Sequence, residues 1–338
     1  MTRPKQALFR CDASAQLGGG HVMRCLALAD HMTARGWRCV FASSYDLATL
    51  VPALARAGHR FLRLPSPLDL VPQTWELVVV DSPESSYSLE QIWRKSADVL
   101  LSFEDIPSPR HECDILINQN LGQESSYEGA ALAPNVRLLL GPSFALLRAE
   151  FSNMRSTALA RRKDDPARHL LLSLGLMDGD NITGWVLECL EFIDQPLEID
   201  VVLGSQAPHL AAVRRQAKTS KHRIVIHVDS NDMGKLMVKA DLAIGAGGIT
   251  SWERCCLGLP SLILLLAENQ RSNAQELDRM GAALNLGALT TLGRDKLALE
   301  ATRLLGDARA RLAMSVRAAA VCDGMGARRV VQVIEDAR

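Results

Sequence analysis

The alternation of short apolar runs with helical patterns is the feature that most restricts the fold of this chain. The run LVVV at 77–80 is continuously apolar, as expected of a parallel strand that is covered on both faces. Similar runs recur between residues 7 and 117 and again between residues 169 and 266, with helical patterns in the gaps. This alternation predicts right-handed β-α-β units and parallel sheets, and therefore an α/β fold.

The predicted elements form two series along the chain. Strands are expected at 7–11, 38–42, 60–64, 77–80, 99–103 and 115–117, and then at 169–174, 197–203, 223–228, 242–244 and 262–266. Helices are expected from about His21 to Ala34, from Leu47 to Ala57 and from Ile182 to Glu191.

Two series of this kind predict two Rossmann-like domains that face each other across a cleft. A chain of 338 residues is long enough for two domains. The stretch 152–167 is polar and has few large apolar residues, so it is the best candidate for a linker. We predict domains at 1–155 and 156–325, followed by a helix at 326–338. In two-domain proteins of this kind such a helix often packs back on the first domain.

Charge and cysteine usage exclude several classes of function. Lys plus Arg and Asp plus Glu both number 38, so the chain lacks the basic surplus that nucleic-acid binding usually requires. No apolar run approaches the ~20 residues of a membrane-spanning helix, and the N-terminus lacks the apolar segment of a secretory signal. The eight cysteines form no C-x-x-C pair. Scattered free thiols fit a reducing cytosol, so we expect a cytoplasmic protein.

The first candidate site is the turn between the first strand and the first helix. It contains Asp12 and the run Gly18-Gly19-Gly20-His21. Glycines allow the backbone to approach a ligand closely, and the helix that follows offers free N–H groups to an anion. The same helix end favours the neutral imidazole, which is the form that acts as a base. The alternative is an ordinary turn with a capping histidine.

The second candidate site follows the strand at 242–244. Its residues can offer N–H and hydroxyl donors to a diphosphate: Gly247, Gly248, Thr250 and Ser251. Glu253 can accept hydrogen bonds from ribose hydroxyls, although a helix-capping carboxylate is the alternative.

Other polar residues follow predicted strands and are expected at the same edges. Asn269 and Gln270 follow the strand at 262–266, and Asp81 ends LVVV. Gly175 opens the turn 173–181, in which Asp180 or Asn181 is the predicted N-cap of the next helix. Each of them has an ordinary alternative as a loop or helix-cap residue.

Taken together and in order, the segments resemble one family. They are FRCDASAQLGGGHVMRCLALAD, CDILINQNLG, LLLGPSFALLRAEF, LLLSLG and AIGAGGITSWERCCLGLPSLILLLAENQ, and they span about residues 7 to 287. They resemble the UDP-2,4-diacetamido-2,4,6-trideoxy-β-L-altropyranose hydrolase family of pseudaminic acid biosynthesis. That family is itself similar to the lipid II N-acetylglucosaminyltransferase, which implies the glycosyltransferase-B architecture.

The resemblance implies a role for each candidate residue. His21 matches the histidine that activates water for attack on the anomeric carbon, with inversion and release of UDP. Asp12, Gly18, Gly19, Gly20 and Asp81 would line the sugar site, and Asn269 and Gln270 would face the substrate. UDP would be held by Gly175, Gly247, Gly248, Thr250, Ser251 and Glu253. The resemblance implies no metal and no other cofactor, and a product used for surface glycans or flagellin.

The sequence departs from the family pattern at two places. Where the family has Asp-His-Tyr, this chain has Asp81-Ser82-Pro83, and where the family has LGGxDxxN, it has Leu176 and Met177 after Gly175. Two alternatives therefore stand beside the hydrolase. One is a glycosyltransferase that uses an acceptor hydroxyl, and the other is a non-catalytic homologue that binds the sugar nucleotide.

Overall fold

The chain folds into two compact units, each built on a parallel β-sheet. The computed structural model describes residues 4–14, 18–66, 69, 73–82, 87–132, 135–162 and 167–337. Unit 1 comprises residues 1–149 and 324–338, and unit 2 comprises residues 150–323. In the described part of the chain, no helix combines the length and apolar character that a membrane crossing requires.

Strands of unit 1 form a seven-stranded sheet within the described ranges, in the order β3-β2-β1-β4-β5-β6-β7. They are β1 (Gln6–Cys11), β2 (Arg38–Ser43), β3 (Arg60–Arg63), β4 (Trp75–Asp81), β5 (Ala97–Phe103), β6 (Ile115–Asn118) and β7 (Arg137–Leu140). All neighbours pair in parallel. The order reverses between β1 and β4, so the connections after these two strands leave to opposite sides.

Unit 2 repeats this arrangement with six strands among its described residues. They are β8 (His169–Ser173), β9 (Glu198–Leu203), β10 (Arg223–Val228), β11 (Leu242–Ala246), β12 (Ser261–Leu265) and β13 (Leu284–Ala288). Their order is β10-β9-β8-β11-β12-β13, and the reversal falls between β8 and β11. Both sheets are parallel throughout, which confirms the α/β fold that the alternating pattern predicts.

The helices cover these sheets. They are α1 (Gly20–Thr33), α2 (Leu47–Leu50), α3 (Pro52–Ala57), α4 (Tyr87–Arg94), α5 (Ala149–Arg161), α6 (Ile182–Leu190), α7 (Leu210–Thr219), α8 (Met233–Lys239), α9 (Thr250–Cys256), α10 (Arg271–Arg279), α11 (Arg294–Gly306), α12 (Ala308–Val321) and α13 (Gly326–Asp336). The single helix predicted at 47–57 is two helices. Val51 interrupts it, and Pro52, which has no N–H to donate, is the first residue of α3.

Each unit has its own apolar core. In unit 1 the core joins Phe9 of β1 and Val79 of β4 to Leu28 of α1 and to Val330 and Ile334 of α13. The predicted C-terminal helix is thus packed in unit 1. In unit 2 the core joins strands β8, β11 and β12 to α6 and α11. The units divide at 149/150 and 323/324, where the sequence suggested 155/156 and 325/326.

The polar stretch 152–167, predicted as a linker, is largely helical, because α5 reaches Arg161 and belongs to unit 2. Arginines hold this helix in place. Arg155 donates to the carbonyl oxygens of Cys256 at 2.5 Å and Ala319 at 2.7 Å. Arg162 donates to the carbonyl oxygen of Met237 at 2.7 Å. Carbonyl groups at helix C-termini lack intrahelical hydrogen-bond partners, and the arginine side chains supply them. These bonds can hold α5 in place although the helix has few large apolar residues. Residues 163–166 lie outside the described ranges.

The sequence interpretation missed two edge strands, β7 and β13. Each lies at one end of its sheet and pairs on one side only. Gly287 within β13 has φ +84°, and the register shifts between Ile263 and Leu264 of the neighbouring strand. A short edge strand with a glycine and an irregular register, such as β13, lacks the continuous apolar run that identifies a central strand. β7 does contain such a run at 138–140, but the strand is only four residues long.

Candidate functional site

The reversal of strand order in unit 1 brings two predicted residues together. β1 and β4 are adjacent, and Cys11 at the end of β1 is aligned with Asp81 at the end of β4. The chain after β1 turns through the glycine run into α1, which places His21 near that end of the sheet. His21 Nδ1 lies 2.7 Å from Asp81 Oδ1. Ligands of open α/β sheets bind at such reversal points, so this pair occupies the expected place.

The hydrogen bond to Asp81 decides which nitrogen of His21 can act as a base. A carboxylate only accepts hydrogen bonds, so the Nδ1 hydrogen points to Asp81 and the Nε2 lone pair is left for a proton. Arg24 Nη2 lies 3.1 Å from Nδ1, but it also lies 2.6 Å from Asp81 Oδ1. Both donors therefore share one acceptor. The His21 side chain is 17% exposed and that of Asp81 is 1% exposed, so the imidazole is the accessible member of the pair.

Arg24 completes a buried cluster around Asp81. Its Nε donates to Asp81 Oδ2 at 2.6 Å, and its Nη1 donates to Asp105 Oδ1 at 2.7 Å. Burial alone would raise the pKa of Asp81, but Arg24 and His21 outweigh it and hold the pKa well below its usual range. Asp81 is therefore a carboxylate at neutral pH. Arg24 is not among the predicted site residues, although its position one helical turn after His21 is a usable signal.

Asp12 lies in a separate buried network of unit 1. Its carboxylate pairs with Arg10 at 2.6 Å and accepts hydrogen bonds from Ser43 Oγ at 2.7 Å and Ser82 Oγ at 2.9 Å. Ser82 thus supports Asp12 at the position where the hydrolase family has a histidine. Pro83, the other departure at this place, lies outside the described residues. The structure does not bring Asp12 into hydrogen-bond contact with His21 in the ranges it describes.

The glycine run allows the sharp entry into α1. Gly18 has φ +70°, which a side chain would disfavour, and its N–H donates to the carbonyl oxygen of Ser14 at 2.9 Å. Gly19 occupies the N-cap position and Gly20 begins α1. A glycine N-cap has no side chain that could accept hydrogen bonds from the first-turn N–H groups. Gly19 therefore does not cap these donors at the start of α1.

The predicted nucleotide residues of unit 2 are held by Arg254, which the sequence analysis did not single out. Its Nη2 donates to the carbonyl oxygen of Ala246 at 2.7 Å and to Ser251 Oγ at 2.9 Å, and Nη1 donates to Thr250 Oγ1 at 3.2 Å. Burial lowers the pKa of Arg254 to about 10, so it stays charged at neutral pH. A Cβ on Gly245 would come within 2.3 Å of Nη1. Glycine there makes room for this guanidinium.

Gln270 ties together the loops that follow β11 and β12. Its Oε1 accepts from the Gly247 N–H at 3.1 Å and from the Leu266 N–H at 3.4 Å. Asn269, beside it in a short 3-10 helix, is exposed. Gly248 continues the loop, and Glu253 is partly buried in the first turn of α9. The loop carrying Gly247 is thereby fixed from both sides, by Arg254 and by Gln270.

Asn181 occupies the N-cap position of α6, as predicted, but the side-chain capping bonds come from another residue. Asp178 caps the helix, because its Oδ1 accepts from the Ile182 N–H at 2.8 Å and its Oδ2 from the Thr183 N–H at 2.9 Å. Asn181 has φ +56° and makes no capping bond with its side chain. Gly175, at the start of this turn, is exposed with φ +108°. Asp178 has a left-handed backbone conformation, with φ +40°. This conformation lets its carboxylate reach the N–H groups at the start of α6.

A group of potential metal ligands among the described residues lies away from the predicted sites. It consists of Glu90, His111 and Cys113, all of them buried. His111 Nδ1 lies 2.8 Å from Glu90, and Nε2 lies 3.1 Å from Glu104. Burial opposes the charge on His111, but the two carboxylates raise its pKa to about 9. An imidazolium with both N–H groups engaged has no lone pair for a metal, so this group is an ion-pair cluster.

These features define a class of protein. Two parallel sheets, each with a Rossmann-like strand order, form the glycosyltransferase-B fold. Residues 181–323, most of unit 2, match the model of the glycosyltransferase family 28 C-terminal domain.

Individual relatives are distant but cover nearly the whole chain. The chain is 27% identical over 353 residues to the spore coat polysaccharide biosynthesis protein SpsG of Bacillus subtilis, with 96% of each covered. It is 27% identical over 282 residues to the UDP-2,4-diacetamido-2,4,6-trideoxy-β-L-altropyranose hydrolase of Campylobacter jejuni, covering 82% of this chain and 97% of that protein. The MurG structure of Acinetobacter baumannii superposes with a TM-score of 0.69 at 16% identity, covering 98% of this chain and 100% of MurG. The hydrolase family is supported at the level of a distant relationship.

Proposed function

We propose that this protein hydrolyses a UDP-linked 2,4-diacetamido-2,4,6-trideoxy hexose to the free sugar and UDP. The reaction would supply a nonulosonic acid such as pseudaminic acid. The observation that carries the proposal is the His21–Asp81 pair, in which an accessible imidazole is oriented by a buried carboxylate at the end of a parallel sheet. The similarity to a hydrolase of that sugar nucleotide supports the same reaction.

His21 would act as the general base. Nε2 takes a proton from water as the water oxygen attacks the anomeric carbon. The bond between that carbon and the UDP oxygen breaks, and its electron pair leaves with UDP, so the configuration inverts. The Asp81 carboxylate stabilises the imidazolium that forms, and the proton then passes to solvent. An oriented base suffices here because UDP is already a good leaving group.

Unit 2 would hold the nucleotide. Thr250 Oγ1 accepts from Arg254, so its own hydroxyl hydrogen is left to donate to a phosphate oxygen. We propose diphosphate contacts from Gly247, Gly248, Thr250 and Ser251, ribose contacts from Glu253, and a further contact from Gly175. In unit 1, the run Gly18 to Gly20 would line the sugar site, and the buried carboxylates of Asp12 and Asp81 would support it. In unit 2, Asn269 and Gln270 would face the substrate. No metal takes part in the proposed reaction.

We also place this reaction in the cytoplasm. All eight cysteines are buried thiols and none forms a disulfide bond, which fits a reducing compartment.

A transferase is the second candidate, and the match to the family 28 C-terminal domain favours it. In that case the base would deprotonate an acceptor hydroxyl in place of water. Accumulation of free sugar in the absence of any acceptor distinguishes the hydrolase.

The test is to incubate the purified protein with the UDP-linked sugar and to follow UDP release and the anomer of the free sugar by NMR. We expect turnover without acceptor, and a His21→Ala variant with kcat lower by roughly 10²- to 10⁴-fold. His31→Ala is the matched control, since His31 lies on the same helix and its Nδ1 contacts the backbone carbonyl oxygen of Ala27 at 2.9 Å. Its kcat should stay unchanged.

Three outcomes would contradict the proposal. Unchanged turnover in His21→Ala would remove His21 from the mechanism. Sugar found only on an acceptor would identify a transferase. UDP binding by calorimetry, without turnover under either condition, would identify a non-catalytic sugar-nucleotide-binding protein.

A further inference from the structure

We infer that Arg24 is a positioning residue for the base, fixing Asp81 as a charged acceptor aimed at His21 Nδ1. The kinetic part of this inference rests on the proposed function. The structural part, concerning the proton on His21, does not.

The geometry of Arg24 is that of a rigid clamp. Nε and Nη2 lie 2.6 Å from the two carboxylate oxygens of Asp81, which is a bidentate contact. The remaining terminal nitrogen, Nη1, lies 2.7 Å from Asp105 Oδ1. The guanidinium carbon lies 4.9 Å from the centre of the Phe103 ring. Arg24 is 1% exposed, so neither water nor another rotamer competes with these contacts.

This clamp sets the orientation of the Asp81 carboxylate. With both oxygens bonded to Arg24, the carboxylate plane is fixed and Oδ1 faces the imidazole at 2.7 Å. Without the guanidinium, Asp81 would be a buried carboxylate with His21 as its main hydrogen-bond donor. Burial would then raise the pKa of Asp81, and its protonated form would no longer hold the Nδ1 hydrogen.

The charges of the cluster suit a base that is neutral at rest and becomes a cation when it takes a proton. Asp81 and Asp105 carry two negative charges and Arg24 carries one positive charge. The cluster therefore has one net negative charge while His21 is neutral, and none once the imidazolium forms. Among the described residues, other titratable groups face the cluster. The Cys25 thiol lies 3.5 Å from Asp81 Oδ2 and contacts Cys11, and Tyr127 interacts with the charge of Asp105. Burial raises the pKa of Cys25 well above its usual range, so it stays neutral.

The experiment compares Arg24→Lys and Arg24→Met with the wild type. Lysine keeps the positive charge, but its single ammonium group cannot contact both carboxylate oxygens of Asp81 and also Asp105 at the same time. We expect kcat of Arg24→Lys to fall by roughly 10- to 100-fold with little change in KM, because orientation of the base acts on the chemical step. For Arg24→Met we expect a larger loss, and the acid limb of the pH profile of kcat/KM should move to higher pH. Arg35→Met is the control, since Arg35 forms a surface pair with Glu335 at 2.6 Å.

A second measurement does not depend on turnover. In ¹⁵N-histidine-labelled protein at neutral pH, the wild type should show the Nδ1–H tautomer of His21, and Arg24→Lys should show a mixture of tautomers. If Arg24→Met does not fold, Arg24→Lys carries the test. A full Nδ1–H population and an unchanged kcat in Arg24→Lys would overturn the inference and leave Arg24 a purely structural residue. Absence of turnover in the wild type would instead refute the proposed function, while the tautomer result still decides the role of Arg24.

Discussion

Two histidines of unit 1 show how the number of carboxylate partners decides what an imidazole can do. His21 contacts one carboxylate through Nδ1 and is partly exposed, which leaves Nε2 for chemistry. His111 lies between Glu90 and Glu104 and is 4% exposed, so both nitrogens donate and the ring is held as a cation. Tyr127 donates to Glu104 as well, which extends the buried cluster. The same kind of side chain can therefore act as a base in the first environment, as we propose for His21, and forms a structural ion pair in the second.

The His111 cluster predicts a pH-dependent contribution to stability. The pKa of the His111 imidazole is about 9 in the folded state, which exceeds the value of about 6.5 for an unperturbed histidine. The stabilisation is therefore fully present below about pH 6.5 and is lost as the pH rises through about 9. In urea unfolding, His111→Gln should be less stable than the wild type by on the order of 2–3 kcal/mol at pH 6, and this gap should narrow towards pH 9.5.

The difference between the two proteins, measured at each pH, removes the contributions of other titrating groups. His31→Gln serves as the control, because His31 bonds a backbone carbonyl on its own helix. A gap for His111→Gln that stays constant from pH 6 to pH 9.5 would show that folding does not raise the pKa of His111.

Residues of the candidate site were accessible to sequence reasoning to different degrees. The run of glycines before His21 is a local signal, and Asp81 was found because it ends a strongly apolar strand. Arg254 gave no such signal, and Arg24 gave only its spacing of one helical turn from His21, because an arginine inside a helix is usually a surface residue. Their burial depends on carboxylates and carbonyls brought in by other strands, namely Asp81, Asp105 and Ala246. Sequence patterns do not show such partners.

At the scale of elements, the start of α13 depends on close contact with the chain before α5. A Cβ on Gly326 would lie 2.2 Å from the carbonyl oxygen of Ala145 and 2.6 Å from its nitrogen. These are backbone atoms, which cannot move aside as a flexible side chain can. Beyond this contact, Val330, Val331 and Ile334 enter the core of unit 1. The close approach at Gly326 therefore sets how deeply the helix packs.

Substitution of this glycine should destabilise unit 1. For Gly326→Ala we expect the free energy of unfolding to fall by about 1–3 kcal/mol, since the added methyl group pushes α13 away from the backbone of Ala145. Gly306→Ala is the matched control, because a Cβ at Gly306 meets no atom within 4 Å. It should be neutral or stabilising by up to about 1 kcal/mol. Thermal unfolding of both variants checks this, and equal melting temperatures would contradict it.

At the scale of the whole molecule, the two units differ in how the chain builds them. Unit 2 is continuous from 150 to 323, whereas unit 1 is completed only by residues 324–338. Within unit 1, Arg329 donates to the carbonyl oxygen of Ser143 at 2.9 Å, and Arg35 pairs with Glu335 at 2.6 Å. Helix α13 is therefore the part of the unit 1 core that is synthesised last.

This difference predicts how fragments behave. Residues 150–323 should fold alone and unfold cooperatively, because their core lies within one segment. Residues 1–149 should aggregate or bind a hydrophobic dye, since the surface that α13 covers is exposed. Adding residues 324–338 as a separate peptide should restore the ellipticity of residues 1–149. Circular dichroism and size-exclusion chromatography measure these results. A fragment 1–149 that is monomeric and cooperatively folded would show that α13 is dispensable.

The sequence by itself determined the α/β class, most central strands and the identity of the glycine turns, because apolar periodicity and glycine act locally along the chain. It also pointed to His21 and Asp81 as separate candidates. Only the tertiary structure decided that these two side chains meet, that Arg24 clamps Asp81, and that a polar stretch forms a helix held by arginine-to-carbonyl bonds. Those outcomes depend on the order of strands in each sheet. Strand order places residues that lie far apart in the chain within hydrogen-bond distance, and no local pattern encodes that distance.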